Sequence, residues 1–551
     1  MPPSTRDACV AVILAVLLSV ALTWPLAAGL GSTGRVDSGD GRHGVWNVAW
    51  VAHALTTAPT TVFDANIFFP NPHALAFSEA NLLAGVLAIP AWVISGGNPY
   101  AAYNSVVLMA FTFAALSAYF LARTVGSSRF GAAIAALIYG YSPYMFAHLP
   151  HIQLLMTFGP ALSLAMLHRF VDQPTTRRAI GLGLSLTVTG LACAYYGIFI
   201  GLIVTIGVIW FAVTDGRWRS WHYWALSALA AAVTVACITP FFLPYLDIQN
   251  DGFVRRLEEA RPYSTTGRAF LASAVLVHRW MLPLIESWSD VLFPGFLAIA
   301  LSLGAVWLTW QHRTLERWRM VGFYLVVAVV SYWITMGPDG GLYTVLYHTL
   351  PVFSFLRAPI RMGVLVTLVT GILAALALTW LGARVRAFRP AGLALIAIAV
   401  IESWVGPLEL AKAPEVPAVY KRLARLPRAG VAEFPFYRGS NERFLNTDYM
   451  LMSTFHWQPI LNGYSDHFPP DYFTSREALN SFPSRAAVNL MREKGVRWVV
   501  VHHNRYPSNR ATEVRMLLRQ SDLGIRLAED APSWSLYEII WPMRPAAPPQ
   551  P

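Results

Sequence analysis

Four carboxylates follow the first apolar segment of this sequence at short intervals. They are Asp37, Asp40, Asp64 and Glu79, in a chain of 551 residues of which only 13% are charged. A carboxylate beside a membrane is costly to desolvate, so its presence there calls for a chemical reason. The stretch DSGDG, residues 37–41, would form a flexible acidic turn because glycines flank its two acids. One carboxylate of such a turn can act as a general base while the other orients it or binds a cation.

The other interpretation of DSGDG is a solvated turn that closes a helix. The neighbouring sequence favours chemistry, because aromatic, amphipathic segments and two further acids crowd into the same small volume. Asp40 is our first choice for a catalytic base, Asp37 is the second, and Asp64 and Glu79 are candidate substrate-binding residues. We expect desolvation near the bilayer to raise the pKa of the base toward neutral pH.

A second cluster, HLPHIQLL, carries His148, His151 and Gln153. A histidine at a membrane face can move protons or bind a metal ion, and the alternative is an interfacial histidine bonded to the backbone. The motif itself contains no carboxylate, so a divalent cation would have to be held by His151 together with Asp40. The sequence requires no cofactor and leaves a divalent cation open.

A third cluster, FLRAPIRM, places Arg357 and Arg361 four residues apart at the start of an apolar segment. Guanidinium groups bind phosphate well, so a polyprenyl phosphate is the ligand that this pair predicts. The alternative is a pair of interfacial arginines that contact lipid headgroups. Residues 437–473 are rich in Tyr, Trp, His, Asn and Asp, which is typical of a sugar-binding surface and also of a loop-rich structural segment.

Arg255 and its neighbours also mix basic with acidic residues. Glu258 and Glu259 lie three or four positions away, a pattern that predicts a solvated helix face.

The composition excludes a soluble globular protein. Hydrophobic residues make up 55% of the chain, and its mean hydropathy is +0.46. The net charge of +11 would suggest nucleic acid in a soluble protein, but here the excess arginine falls in short loops between apolar runs, where it sets orientation. We predict about 11 spans of membrane length. They lie near residues 8–30, 101–122, 130–147, 152–170, 179–195, 197–214, 222–243, 291–310, 320–337, 362–382 and 390–408.

The arginine-rich loops between these spans all fall on one side, which is cytoplasmic by the positive-inside rule. The N-terminus is then inside, and both the DSGDG loop and the C-terminal region are outside. Segment 81–96 is short and contains Pro90, so we interpret it as a re-entrant or interfacial helix. The segment HGVWNVAWVAHAL is expected to lie at the headgroup level in the same way.

The domain organisation follows from the composition. We predict a transmembrane domain over 1–408, whose first outer loop is 31–96, a linker over 409–428, an extracytoplasmic α/β domain over 429–541, and a disordered tail over 542–551. In the α/β domain, VAEFPF, GVRWVVVHHN and SWSLYEII predict strands, and SREALNSF and AAVNLMREKG predict helices.

The order of these parts resembles that of bacterial GT-C-fold integral membrane glycosyltransferases. YFLARTVGSSRFGAAIAALIYGYSPYMFAH is similar to the second and third spans of aminoarabinose transferases and protein mannosyltransferases. GDGRHGVWNVAW, FFPNPHALAFSEANL, HLPHIQLL, FLRAPIRM and LNGYSDHFP look closer to related multi-pass bacterial proteins. The adjacent acidic pair usual in these enzymes is absent, and His148 and His151 stand where they often carry a second acid.

The resemblance implies an inverting glycosyltransferase of the bacterial inner membrane with a GT-C-like helical bundle. It implies a polyprenyl-phosphate sugar donor, an acceptor that is a cell-envelope glycan, lipid or protein, and Asp40 as the base. Three alternatives remain open: a flippase or exporter of lipid-linked saccharides, a polymerase or ligase that uses them, and a non-catalytic assembly protein. The near absence of ionisable residues inside the spans argues against an ion-coupled carrier.

Overall fold

The computed structural model describes residues 5–36, 39–250, 255–284, 291–385, 388–437, 442–520 and 522–540. Asp37 and the predicted disordered tail, 542–551, lie outside these ranges. The described chain has a helical part followed by a smaller part built on a four-stranded sheet.

The helical part follows the apolar runs of the sequence. Its helices are α1 (Thr5–Leu22), α2 (Asp40–Thr57), α3 (Leu82–Ile94), α4 (Pro99–Thr124), α5 (Arg129–Gly140), α6 (Pro143–Ala147), α7 (Ile152–Leu155), α8 (Phe158–Asp172), α9 (Thr176–Ala192), α10 (Ala194–Thr214), α11 (Trp221–Asn250), α12 (Phe296–His312), α13 (Leu315–Thr335), α14 (Leu342–Thr349), α15 (Gly363–Gly382) and α16 (Phe388–Ile401).

In the described ranges, 7 helical segments are long and apolar enough to cross a membrane. They include α4, α10, α11, α13, and α15 with the turn before it, while α5 joins α6 and α7 joins α8 to form the other two. The remaining predicted spans coincide with α1, α9, α12 and α16, which are helical but shorter or less apolar. The prediction of a membrane-helix bundle is confirmed, and the count of about 11 spans stays a prediction.

The C-terminal part is an α/β unit. Its strands are β3 (Gly430–Phe434), β4 (Val496–His502), β5 (Ile525–Asp530) and β6 (Trp534–Ile539), and its helices are α17 (Ala418–Leu423), α18 (Asn446–Ser453), α19 (Tyr472–Asn480), α20 (Arg485–Glu493) and α21 (Ser508–Gln520). The sheet order is β3-β4-β6-β5, with β3 parallel to β4 and the other pairs antiparallel. The predicted small C-terminal sheet domain is therefore confirmed.

The segment predicted as a linker is folded onto both parts. Within it, β2 (Ala411–Lys412) pairs antiparallel with β1 (Thr33–Gly34), just beyond α1. The hydroxyl of Tyr420, in α17, donates to Glu433 Oε2 at 2.6 Å, inside the C-terminal core. These contacts fix the start of the first loop relative to the sheet.

The long helix of the first loop, α2, is buried between the two parts. It packs on α3 and α4 on one side and on α18 on the other. Trp46 and Trp50 are only 1% and 6% exposed. The Trp50 indole donates to the Val62 carbonyl at 2.8 Å. The expectation that this helix lies among lipid headgroups is thus corrected, because the C-terminal part covers the face that carries the indoles.

The length of α3 supports the interpretation of segment 81–96 as a re-entrant or interfacial helix. The helix α3 has 13 residues with Pro90 inside it. At a rise of 1.5 Å per residue it is about 20 Å long, whereas the hydrocarbon core of a bilayer is about 30 Å thick.

Candidate functional site

A cavity of about 620 Å³ lies where the first loop, the helical bundle and the C-terminal part meet. It brings together most of the residues selected from the sequence: Asp40, Glu79, His148, His151, Gln153, Arg357 and Arg361. Asp64 does not line it, and its carboxylate instead accepts the His73 backbone N–H at 3.0 Å. The structure therefore separates Asp64 from the predicted set.

Asp40 is the first residue of α2, where a carboxylate is favoured by the helix dipole. Its Oδ2 lies 3.1 Å from His151 Nε2, and its Oδ1 accepts the Tyr464 hydroxyl at 3.0 Å. The side chain is 51% exposed, so the carboxylate still faces the cavity. A carboxylate has about four acceptor positions, and these two contacts leave the others open to a ligand.

The contact with His151 holds the pKa of Asp40 well below its ordinary value, with smaller help from the charge of that ring. Burial acts in the opposite direction and is outweighed. The expectation that desolvation would raise the pKa of this base is therefore wrong. Asp40 is ionised at neutral pH and is available as a proton acceptor.

His148 and His151 occupy the turn between α6 and α7. His148 is 2% exposed, and its Nδ1 lies 2.8 Å from the Tyr144 carbonyl. Burial lowers the pKa of His148 to about 3, so this ring is neutral above mildly acidic pH. His148 is thus bonded to the backbone, as the structural alternative predicts, although it lines the cavity.

Glu79 has a structural contact that accounts for its position. Its Oε1 accepts the backbone N–H of Ala194, the first residue of α10. Burial raises the pKa of Glu79, and the Ala194 N–H and the Arg361 charge oppose this rise. A carboxylate at a helix N-terminus stabilises the exposed N–H groups there. Glu79 therefore anchors α10 against the first loop at the cavity wall.

The two arginines of FLRAPIRM face the same cavity from the turn before α15. The backbone N–H of Arg357 donates to the Tyr195 hydroxyl at 3.0 Å. The Tyr195 ring also lies 4.3 Å from the Arg361 guanidinium carbon, in a cation–π contact. In the described part of the chain, Arg361 makes no ion pair with a carboxylate. Within these ranges the guanidinium of Arg361 is thus beyond ion-pair distance of a carboxylate, and its charge acts on Glu79 from further away.

Arg357 differs, because it is paired with a residue of the C-terminal part. Its Nη2 lies 2.8 Å from Asp466 Oδ1. The other oxygen, Asp466 Oδ2, lies 3.2 Å from Arg255 Nη2. The Arg255 side chain is only 10% exposed, which corrects the prediction of a solvated helix face at that residue.

Sequence reasoning did not single out several residues of the cavity: His43, Tyr195, Arg443, Tyr464 and Asp466. Burial lowers the pKa of His43, which lies three residues after Asp40 in α2. The signal for Tyr464 and Asp466 was present in the motif LNGYSDHFP, but nothing in the sequence says that this motif meets the first loop.

A divalent cation held by Asp40 and His151 stays a prediction. Asp40 and His151 do meet, but they contact each other directly at 3.1 Å. Within the described ranges, no three His, Cys, Asp or Glu side chains are grouped closely enough to hold a metal ion.

No protein-family model matches the sequence, and no curated protein matches it. Solved structures do match. The arabinofuranosyltransferase AftD from mycobacteria superposes with a TM-score of 0.63 at 13% identity, over 98% of this chain. The Archaeoglobus fulgidus oligosaccharyltransferase in its apo form superposes with a TM-score of 0.52 at 12% identity, over 91% of this chain and 70% of its own. Both are GT-C glycosyltransferases.

This chain has the GT-C fold. The structural likeness confirms the fold class predicted from the sequence, and the seven apolar helical segments indicate a multi-pass membrane protein. The chain spans 40% of the length of AftD. At these identities the likeness establishes the fold, and the chemistry has to be argued from the cavity.

Proposed function

We propose that this protein is a glycosyltransferase that moves a sugar from a polyprenyl-phosphate donor to an acceptor outside the cytoplasmic membrane of a bacterium. The observation that carries the proposal is one cavity that holds both an ionised carboxylate, Asp40, and an unpaired guanidinium, Arg361. Transfer from a lipid phosphate needs both groups, because one accepts a proton and the other stabilises the phosphate that leaves.

The arginines bind the phosphate of the donor in this mechanism. The isoprenoid tail would lie against the apolar helices while its phosphate contacts Arg361. As the bond between the anomeric carbon and the phosphate oxygen breaks, the electron pair stays on that oxygen. A guanidinium placed there stabilises the developing negative charge, and such electrostatic stabilisation is commonly the largest single contribution to catalysis.

The acceptor half belongs to Asp40. The acceptor hydroxyl or amine donates its hydrogen bond to a free lone pair of the carboxylate. As the nucleophile forms its bond to the anomeric carbon, its proton passes to Asp40, and direct displacement inverts the anomeric centre. The depressed pKa makes Asp40 a weak base, which suits transfer late in the step, when the nucleophile has become strongly acidic.

The acceptor would approach from the side of the C-terminal part. Tyr464, Asp466 and Arg443, all from that part, line the cavity opposite the bundle. The positive-inside rule predicts an N-terminus inside, and the C-terminal part would then lie in the extracytoplasmic space, where a cell-envelope glycan, lipid or protein can serve as acceptor. The chain would then contact membrane lipids around its helices and would bind no nucleic acid.

The experiment is a transfer assay in proteoliposomes with a panel of undecaprenyl-phosphate sugars, read as release of undecaprenyl phosphate. We expect at least one donor to be consumed and Asp40→Asn to slow its consumption by about 10²–10⁴-fold, the usual contribution of a general base. Asp64→Asn is the matched control, because Asp64 lies outside the cavity wall. Turnover by Asp40→Asn at the rate of the unaltered protein would overturn the assignment.

A further inference from the structure

Asp466 places a negative charge in the basic half of the cavity, which is formed by Arg255, Arg357 and Arg361. Its two oxygens contact two different guanidinium groups, Arg357 at 2.8 Å and Arg255 at 3.2 Å. The carboxylate is 32% exposed, so it is reachable from the cavity. The only ligand atoms that the proposed reaction brings to these guanidiniums are the oxygens of a phosphate. Asp466 therefore occupies the kind of position that a donor phosphate needs.

The segment that carries Asp466 also reaches the acid half of the cavity, which is formed by Asp40 with its partners His151 and Tyr464. Two residues earlier, the Tyr464 hydroxyl donates to Asp40 Oδ1 at 3.0 Å. Burial and the nearby Asp40 charge raise the pKa of Tyr464, so the hydroxyl stays a hydrogen-bond donor. One residue later, the His467 backbone N–H donates to the Phe77 carbonyl of the first loop at 2.8 Å. Residues 464–467 thus touch both halves of the cavity at once.

Arg357 is held independently of Asp466. Its backbone is bonded to the Tyr195 hydroxyl, and its guanidinium carbon lies 5.1 Å from the Tyr263 ring. Loss of the carboxylate would therefore leave this guanidinium at the cavity wall. Without the Asp466 carboxylate, the Arg357 guanidinium would have no anionic partner and would bind another anion more readily.

We propose that Asp466 sets the affinity of the cavity for the donor phosphate by occupying Arg357 and Arg255 until the phosphate displaces it. The inference rests on the proposed function and adds a residue that it does not require. A phosphate cannot share the two guanidiniums with the carboxylate without bringing like charges together. The exchange replaces one anion by another, so the guanidiniums are never left buried without a partner.

The test measures binding of undecaprenyl phosphate to the full-length protein in nanodiscs. We expect Asp466→Asn to bind this lipid about five-fold more tightly, the scale expected when a partly exposed competing ion pair is removed. The matched control is Asp448→Asn. Asp448 is also a carboxylate of the C-terminal part and pairs with an arginine, Arg505, at 3.2 Å, but it does not line the cavity. Its substitution should leave the affinity unchanged.

Weaker binding by Asp466→Asn would overturn the inference, because it would show that the carboxylate positions the arginines. Unchanged binding would overturn it as well. If neither protein binds undecaprenyl phosphate, the proposed function fails and the inference fails with it, whereas equal binding removes the inference alone.

A measurement on the unaltered protein covers the case in which Asp466→Asn does not fold. We expect amide hydrogen exchange in the peptide that contains Tyr464 and Asp466 to become faster when undecaprenyl phosphate is added. Slower exchange in that peptide would contradict displacement of the segment.

Discussion

The two halves of the cavity are built differently. In the acid half, Asp40 is held by two hydrogen-bond partners, His151 and Tyr464, and its charge has no guanidinium against it. In the basic half, Arg357 is neutralised by an internal carboxylate while Arg361 rests on an aromatic ring. The first arrangement fixes the orientation of the Asp40 carboxylate. The second leaves the guanidinium groups able to exchange their partners for a phosphate.

The difference indicates a division of labour. A base must meet its proton in a narrow geometry, so fixed hydrogen bonds suit it. A phosphate site must accept its ligand and also release it after transfer, so an exchangeable ion pair suits it. Substitutions in the acid half should therefore change turnover alone, and substitutions in the basic half should change donor binding as well as turnover.

The largest effect on donor binding is expected at Arg361, in the basic half. We expect Arg361→Gln to weaken binding of undecaprenyl phosphate by about 10–100-fold, because a charged hydrogen bond to the phosphate contributes about 1.5–3 kcal/mol. Equilibrium binding in nanodiscs measures this effect.

Two companion variants make that result specific. Arg361→Lys should lose less affinity because it retains the charge. Arg422→Gln should lose none, because Arg422 lies in α17 near Glu529 and outside the cavity. Equal affinity of Arg361→Gln and the unaltered protein would remove Arg361 from the phosphate site.

A smaller effect is expected at His151, and it is a change in pH dependence. The hydrogen bond with His151 is the main reason for the low pKa of Asp40. In His151→Phe that contact is lost and burial remains, so the pKa of Asp40 rises. Because the proton acceptor is the ionised form, the acid limb of the variant's rate should lie at higher pH than that of the unaltered protein.

Tyr464→Phe is the matched variant for this pH profile. The Tyr464 hydroxyl also lowers the pKa of Asp40, but less than His151 does. We expect an acid limb in the same direction, displaced less. Single-turnover rates across the pH range measure both profiles, and identical profiles for all three proteins would contradict the assigned role of His151.

The smallest effect is expected at Glu79, which belongs to neither half. Glu79→Gln keeps an acceptor for the Ala194 N–H and removes the charge, so turnover should change little. The helix-terminus interaction of a carboxylate contributes about 0.3–1 kcal/mol to stability.

The pH dependence of unfolding shows whether the charge of Glu79 raises or lowers the stability of the folded protein. Because the pKa of Glu79 is raised by burial, the folded state binds a proton more tightly than the unfolded state. Stability therefore falls as the pH rises from the ordinary glutamate pKa through the raised one. Glu79→Gln should remove that decline in thermal unfolding measured in detergent, and an unaltered decline would show that another group causes it.

The sequence predicted most of the fold because the signals for it are local. Runs of apolar residues located the helices, and alternation with β-branched residues located β3, β4 and β6. The strand β5 was missed because its sequence, IRLAED, is polar and mostly exposed at the edge of the sheet. The burial of α2 was missed because a helix more than 380 residues away in the chain, α18, packs on it.

The candidate site was predicted only in part, because residue types are visible in the sequence and contacts between distant residues are not. Asp40, His151, Arg357 and Arg361 stood out by residue type, and their meeting in one cavity is a property of the fold. Asp466 could not be paired with Arg357 from sequence. The direction of the Asp40 pKa depended on one hydrogen bond, which spacing does not reveal.

The most direct test of the central claim is a structure of the protein with undecaprenyl phosphate bound. The claim is that one chamber serves both the carboxylate and the phosphate. We expect the phosphate oxygens within ion-pair distance of Arg361, Asp40 facing the same chamber, and Asp466 moved away from Arg357. A phosphate bound elsewhere, for example in the second cavity lined by Trp92 and Trp457, would contradict the account.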